Sequence, residues 1–234
     1  MTQRDLVGLV ASYIYAFGLL FVVEAIGKRL RWRQAFTRKL VHIGAGMWIW
    51  GILGLFDTWA YGIIPFATFI VLNYLFYRYQ IFKAMDTTES TPGTVYFAIS
   101  ITLLFVLLWR PAGPVDRAPI AAAAVMAMTW GDGLASIVGQ AFGRHPYRVL
   151  DHQRSWEGTA AMAIASLVTI GLTLWLLPGS AWSPFSTPFP AARLVVMTLG
   201  GALVATAAEA LSPAGTDNLS VPLLTGLALF LLAG

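Results

Sequence analysis

The chain has 234 residues, of which 58% are hydrophobic and 11% charged, with a formal net charge of +4 and no cysteine. Soluble domains carry about 25% charged residues, so an ordinary soluble domain is excluded and an integral membrane protein is expected. The missing cysteines exclude disulfides, thiolate metal sites and a cysteine nucleophile, and the pI near 9.6 fits basic cytoplasmic loops better than a nucleic-acid partner.

Spans need roughly 20 apolar residues, and eight are expected, at about 5–26, 40–56, 59–78, 94–110, 118–142, 157–178, 191–211 and 220–234. The expected fold is therefore all-α and polytopic, a single transmembrane domain over 1–234. The first run holds Glu24 and no small-residue cleavage site follows it, so it is expected to stay as a span instead of leaving as a signal peptide. Segment 178–190, uncharged and rich in Pro and Ser, reads as a loop. No internal repeat is visible.

Basic residues orient the spans. Alternate loops collect Lys28, Arg29, Arg31, Arg33, Arg38, Lys39, Arg78, Lys83, Arg144, Arg148 and Arg154, against Arg4, Arg110, Arg117 and Arg193 on the other side. The first set is expected to face the cytoplasm and the amino terminus to lie outside, in a cell's inner membrane. Four polar motifs then share the cytoplasmic mouth.

The first motif is "RKLVHIGAG" (38–46). Arg38 and Lys39 read as a positive-inside anchor. His42, on the face of Lys39, is either a satisfied buried histidine or a general base for a hydroxyl.

The second is "GDGLASIVGQAFG" (131–143). Ala135, Gly139 and Gly143 recur every four residues, a spacing that lets membrane helices approach closely. Packing does not explain Asp132, since a carboxylate at membrane depth costs at least ~2.5 kcal/mol. Gly131 and Gly133 permit an irregular or broken helix whose amides face an anion, and a carboxylate there suits Mg²⁺ held against a phosphate.

The third is "RSWEG" (154–158). Arg154 and Glu157 either form an ion pair three residues apart on a helix or serve a nucleotide phosphate and a metal or proton respectively. The fourth is "EALSPAGTDNLSVP" (209–222). Asp217 or Asn218 suits a helix N-cap, whereas a buried Glu209 needs a partner or a metal. Mg²⁺ takes one or two carboxylates plus substrate phosphates, and Asp132, Glu157, Glu209 and Asp217 are the candidates. There is no G-x-x-x-x-G-K-[ST], H-E-x-x-H or G-x-S-x-G motif.

As an ordered set over roughly 38–222, these motifs resemble the membrane polyprenol kinase family, which includes dolichol, phytol and farnesol kinases and the CTP-dependent diacylglycerol kinase. The resemblance implies a CTP- and divalent-metal-dependent kinase acting on the hydroxyl of a membrane lipid alcohol. It maps Arg38 and Lys39 to the family's basic pair, His42 to the histidine that follows, and Asp132, Gly133, Ala135 and Gly139 to its aspartate–glycine element. Glu157 and Gly158 map to the glutamate–glycine pair, and Glu209, Asp217 and Asn218 to the last motif. By this reading Asp132, His42 and Glu157 are catalytic. Arg38, Lys39, Gly131, Gly133, Gly139, Arg154, Gly158 and Asn218 bind the nucleotide, and Asp132, Glu209 and Asp217 hold Mg²⁺. Arg154 stands where the family commonly has lysine. The rival readings are a phosphatidate cytidylyltransferase, whose carboxy-terminal signature is absent, and an ion-coupled transporter.

Overall fold

A computed structural model describes residues 1–79, 81, 92–113, 115–149, 152–213 and 215–234, so Lys83 lies outside the described residues. The all-α expectation holds. In order come α1 (Gln3–Leu30), α2 (Gln34–Met47), α3 (Ile49–Leu55), α4 (Trp59–Tyr79), α5 (Gly93–Leu108) and α6 (Ala118–Met126). A π-helical turn (Ala127–Asp132) leads into α7 (Gly133–Phe142), followed by α8 (Trp156–Leu176), α9 (Ala191–Leu211) and α10 (Asp217–Ala233). A hairpin of β1 (Pro146–Val149) and β2 (His152–Ser155), with Tyr147 opposite Arg154, joins α7 to α8 where only a polar loop was expected.

Among the described residues five helices are long and apolar enough to cross a membrane: α1, α4, the continuous run Ala118–Phe142, α8 and α9. The expected fourth and eighth spans are the shorter apolar helices α5 and α10. The expected 40–56 span begins earlier and is divided at Trp48 into α2 and α3. The Trp48 amide bonds back to Ala45, an i−3 bond that tightens the turn there.

Burial sorts these helices. From Ala118 to Thr129 every residue is buried, so α6 is enclosed by protein on all sides. Its alanines let α5, α8 and α10 pack close around it. The outer helices instead expose apolar rows at helical spacing, such as Ile164, Val168, Leu172 and Trp175 on α8 and Val196, Leu199 and Leu203 on α9. Rows of this kind suit contact with lipid chains.

Polar ties gather at both ends of the bundle. At one end Asp5 accepts from the Asp57 and Thr58 amides at 3.0 and 3.1 Å. Asp116 there accepts from the Arg110 and Ala118 amides at 2.9 and 3.1 Å and from the Ser183 hydroxyl. These contacts fasten the loops that begin α4, α6 and the 178–190 segment. The other end carries the four motifs.

Candidate active site

Asp132 sits where the central helix changes gauge. Its carboxylate is 3% exposed and accepts two hydrogen bonds from Lys39 Nζ, at 2.9 and 2.7 Å. The helix is irregular here, a π-helical turn that ends at Asp132, but it does not break: the turn runs directly into α7 and leaves no free helix terminus. Gly131 packs instead on α8, where an added Cβ would lie 2.9 Å from Ser166 Oγ. Gly133 faces α2, 2.9 Å by the same measure from Ile43. These two glycines admit neighbouring helices and do not line a cavity.

His42 stands one turn beyond Lys39. Its Nε2 donates to the Met128 carbonyl at 3.3 Å and is 3.6 Å from Asp132 Oδ2, while its ring meets Phe97 edge-on at 5.0 Å. Carbonyl and carboxylate thus fix the ring between them.

"RSWEG" folds differently from an ion pair on one helix. Arg154 lies on β2, and its guanidinium pairs across the bundle with Glu209 and donates to the Ser212 carbonyl at 3.0 Å. Ser155 caps α8 by accepting from the Gly158 amide at 3.1 Å, which occupies that N–H. Glu157 turns outward and takes His145 Nδ1 at 2.7 Å, tying the hairpin to α8. Of the predicted catalytic residues, Asp132 lines the polar cleft and His42 the apolar cavity beside it, while Glu157 lines neither.

Glu209 is 3% exposed, and its Oε2 is buried with no hydrogen-bond partner among the described residues. Thr216, not Asp217 or Asn218, holds the N-cap position of α10. Asp217 Oδ1 accepts from the Asn218 amide at 2.9 Å and from its Nδ2 at 3.2 Å. Asn218 lies beside Arg38 against Gly93: a Cβ there would be 3.1 Å from Asn218 Nδ2 and 3.2 Å from Arg38 Nη2.

Two cavities converge on these groups. A polar cleft of about 400 Å³ is walled by Lys39, Asp132, Arg154, Glu209 and Asp217, with Gly139, Gly158 and the hairpin residues Pro146 and Gln153. A larger, mostly apolar cavity of about 540 Å³ runs between α1, α2, α4 and α5, with Arg38, His42 and Asn218 on its wall. Lys39, Ser136, Gln140 and Asp217 line both. Gly139 and Gly158 cross with backbones so close that a Cβ on Gly158 would sit 2.9 Å from the Ala135 carbonyl. Both glycines thus serve the close approach of α7 and α8 at the edge of the cleft, beside Ser136, Ser155 and Thr159.

Three carboxylates face two cations in the polar cleft, an excess of one negative charge that a proton or a further cation offsets. Among the described residues no three acidic or imidazole groups stand close enough to cage a metal. One or two carboxylates with remaining coordination from phosphates is nonetheless the usual Mg²⁺ arrangement. The unpartnered Glu209 oxygen and the hard-oxygen donor set fit that ion.

Ser136 and Gln140, hydrogen-bonded at 3.0 Å, are site residues that sequence reasoning missed. Asp132, Ser136 and Gln140 recur every four residues, one polar stripe along a helix, and that spacing was the available signal.

The chain is 34% identical to a phytol kinase of Synechocystis sp., over 97% of this chain and 91% of that protein. It is 30% identical to a chloroplastic farnesol kinase of Arabidopsis thaliana, over 97% and 75%, and 28% identical to a probable chloroplastic phytol kinase of Triticum aestivum, over 94% and 74%. No family model matches the chain, and no solved structure matches it.

Proposed function

The chain belongs to the family of the phytol and farnesol kinases, and from that premise we propose that it phosphorylates the hydroxyl of a membrane-dissolved isoprenoid alcohol, using CTP and Mg²⁺. The observation that carries this reading is the meeting of a charged cleft and an apolar cavity at Lys39, Ser136, Gln140 and Asp217. A nucleotide triphosphate suits the first and a prenyl tail the second, which brings the γ-phosphorus and the hydroxyl together at their junction. CTP as donor rests on the motif resemblance.

In this mechanism the alcohol oxygen attacks the γ-phosphorus, the bond to the β–γ bridging oxygen breaks, and CDP leaves. Phosphoryl transfer asks mainly for positioning and charge neutralisation. Lys39, Arg38 and Arg154 offset phosphate charge, and Gly139 and Gly158, which line the cleft, border the phosphates. One or two of Asp132, Glu209 and Asp217 would hold Mg²⁺ together with the phosphates, and the ion would supply further neutralisation there. His42, on the wall of the apolar cavity, receives the hydroxyl proton. Asn218 orients the donor, and Glu157 acts as a positioning residue through the hairpin. We place the motif-bearing end in the cytoplasm, with eight crossings of the inner membrane and the amino terminus outside.

The test crosses γ-labelled CTP or ATP with phytol, farnesol, long polyprenols and diacylglycerol. Label entering a prenyl lipid fraction, with CTP ahead of ATP and Mg²⁺ required, is the expected result. Label found only in pyrophosphate, with cytidine retained on lipid, overturns it in favour of a cytidylyltransferase.

A further inference from the structure

The apolar cavity has a depth axis that four helices define in the same sense. Its polar mouth is formed by Lys39 on α2, Asn73 on α4, Thr94 on α5 and Leu20 on α1. Following each helix inward leads to Trp48, Pro65, Ile101 and Ser12. From Lys39 to Trp48 is about 14 Å at 1.5 Å per residue. With about 540 Å³ of space along a depth of about 14 Å, the cavity suits a short isoprenoid tail of a few units. It does not hold a long polyprenol.

The inner end is built to stay shut. The Trp48 ring stacks on Tyr15 at 4.3 Å between centroids, and its Nε1 donates to Ser12 Oγ at 3.0 Å. Ser12 Oγ in turn donates to the Gly8 carbonyl at 2.7 Å, and the Tyr15 hydroxyl to the Gly44 carbonyl at 2.7 Å. Helix α1 therefore holds the indole through two residues, and the Tyr15 hydroxyl ties that helix back to α2 beside Trp48. The turn at Trp48 that divides the expected second span is what presents it there. Behind this layer Phe66 meets Phe105 at 5.5 Å, within the close-packed core.

We propose that Trp48, braced by Ser12 and Tyr15, is the floor of the tail cavity and sets the chain length of the alcohol, admitting isoprenoids of a few units and excluding long polyprenols. The inference rests on the kinase reading for its substrate and on the cavity's own walls for its limit.

Two measurements on the full chain in lipid–detergent micelles separate these. The first compares phosphorylation of farnesol, geranylgeraniol and decaprenol. The unmutated chain is expected to prefer the C15 and C20 alcohols, and Trp48→Ala to raise the decaprenol-to-geranylgeraniol ratio of kcat/KM about tenfold or more. Should Trp48→Ala not fold, Ala98→Phe, which narrows the cavity wall, is expected to move preference toward shorter alcohols. The second uses a geranylgeraniol analogue with a diazirine at its far end, irradiated on the unmutated chain, with adducts mapped by mass spectrometry. Adducts at Trp48, Pro65 or Phe66 are expected. Floor adducts without phosphorylation of any alcohol would sink the kinase reading and keep the floor. Phosphorylation with adducts only near Arg38 or Thr94, or a length preference unmoved in folded variants, overturns the floor.

Discussion

Replacing Asp132 by Asn separates a catalytic carboxylate from a merely structural ion pair. The substitution keeps the shape, but Lys39 loses an ionised partner that now accepts two bonds, at 2.9 and 2.7 Å. Hydrogen bonds to charged groups are worth about 1.5–3 kcal/mol. The Lys39 side chain keeps 20% of its exposure, so water recovers part of this, and a loss of about 1–2 kcal/mol is expected. Turnover should fall further, by about a thousandfold, the scale on which losing one preorganised charge is felt. The double variant Lys39→Met with Asp132→Asn removes both partners, so stability should return to within about 1 kcal/mol of the original while turnover stays down. Thermal unfolding of purified protein and label transfer from γ-labelled CTP are the two assays. A double variant that regains turnover together with stability would refute the reasoning, as would a single variant retaining more than about a tenth of activity.

Impermeant labelling of single cysteines should find Arg33→Cys and Arg148→Cys on one side and Ala181→Cys on the other; Ser183, fully buried against Asp116, is unsuited as a probe. Labelling of Arg148→Cys and Ala181→Cys from the same side would contradict the proposed crossings. Gly158→Ala should destabilise by about 1–3 kcal/mol through overpacking against the Ala135 carbonyl. Gly18→Ala, whose Cβ meets nothing within 4 Å, should be neutral or gain up to about 1 kcal/mol, and unfolding midpoints in detergent compare the two. Glu157→Gln should keep turnover within roughly fivefold, as expected for an outward ion pair, and a loss comparable to that of Asp132→Asn would return Glu157 to the chemistry.

Much of the site was legible because charge inside an apolar chain is conspicuous. Asp132, Glu209 and His42 had no cheap explanation as surface residues, and all three proved buried or nearly so around two adjoining cavities. What local spacing could not reveal was partnership. Lys39 lies 93 positions from Asp132, and Arg154 lies 55 from Glu209. Nothing within a window of helical periodicity encodes either pair. The ion-pair alternative for Arg154 and Glu157 fails for the same reason, since the strand that carries Arg154 takes it to Glu209 and leaves Glu157 to His145. The hairpin itself is two four-residue strands, too short for an alternating pattern to stand out. The divided second span was obscured because hydropathy registers apolar length and is blind to a one-residue turn at Trp48.

The π-helical turn also governs rotational phase. A π turn takes about one residue more than an α turn, and an α-helix turns about 100° per residue, so winding Ala127–Asp132 as an ordinary α-helix with no residue removed would swing everything downstream by roughly that angle. Asp132, Ser136 and Gln140 would then no longer point where the enclosed alanines of α6 now aim them. The angular setting of that stripe resides in the count of residues in the turn, not in the identity of any one of them. Substitution scanning across 127–131 would pass over it, whereas a scan of single-residue deletions would locate it directly.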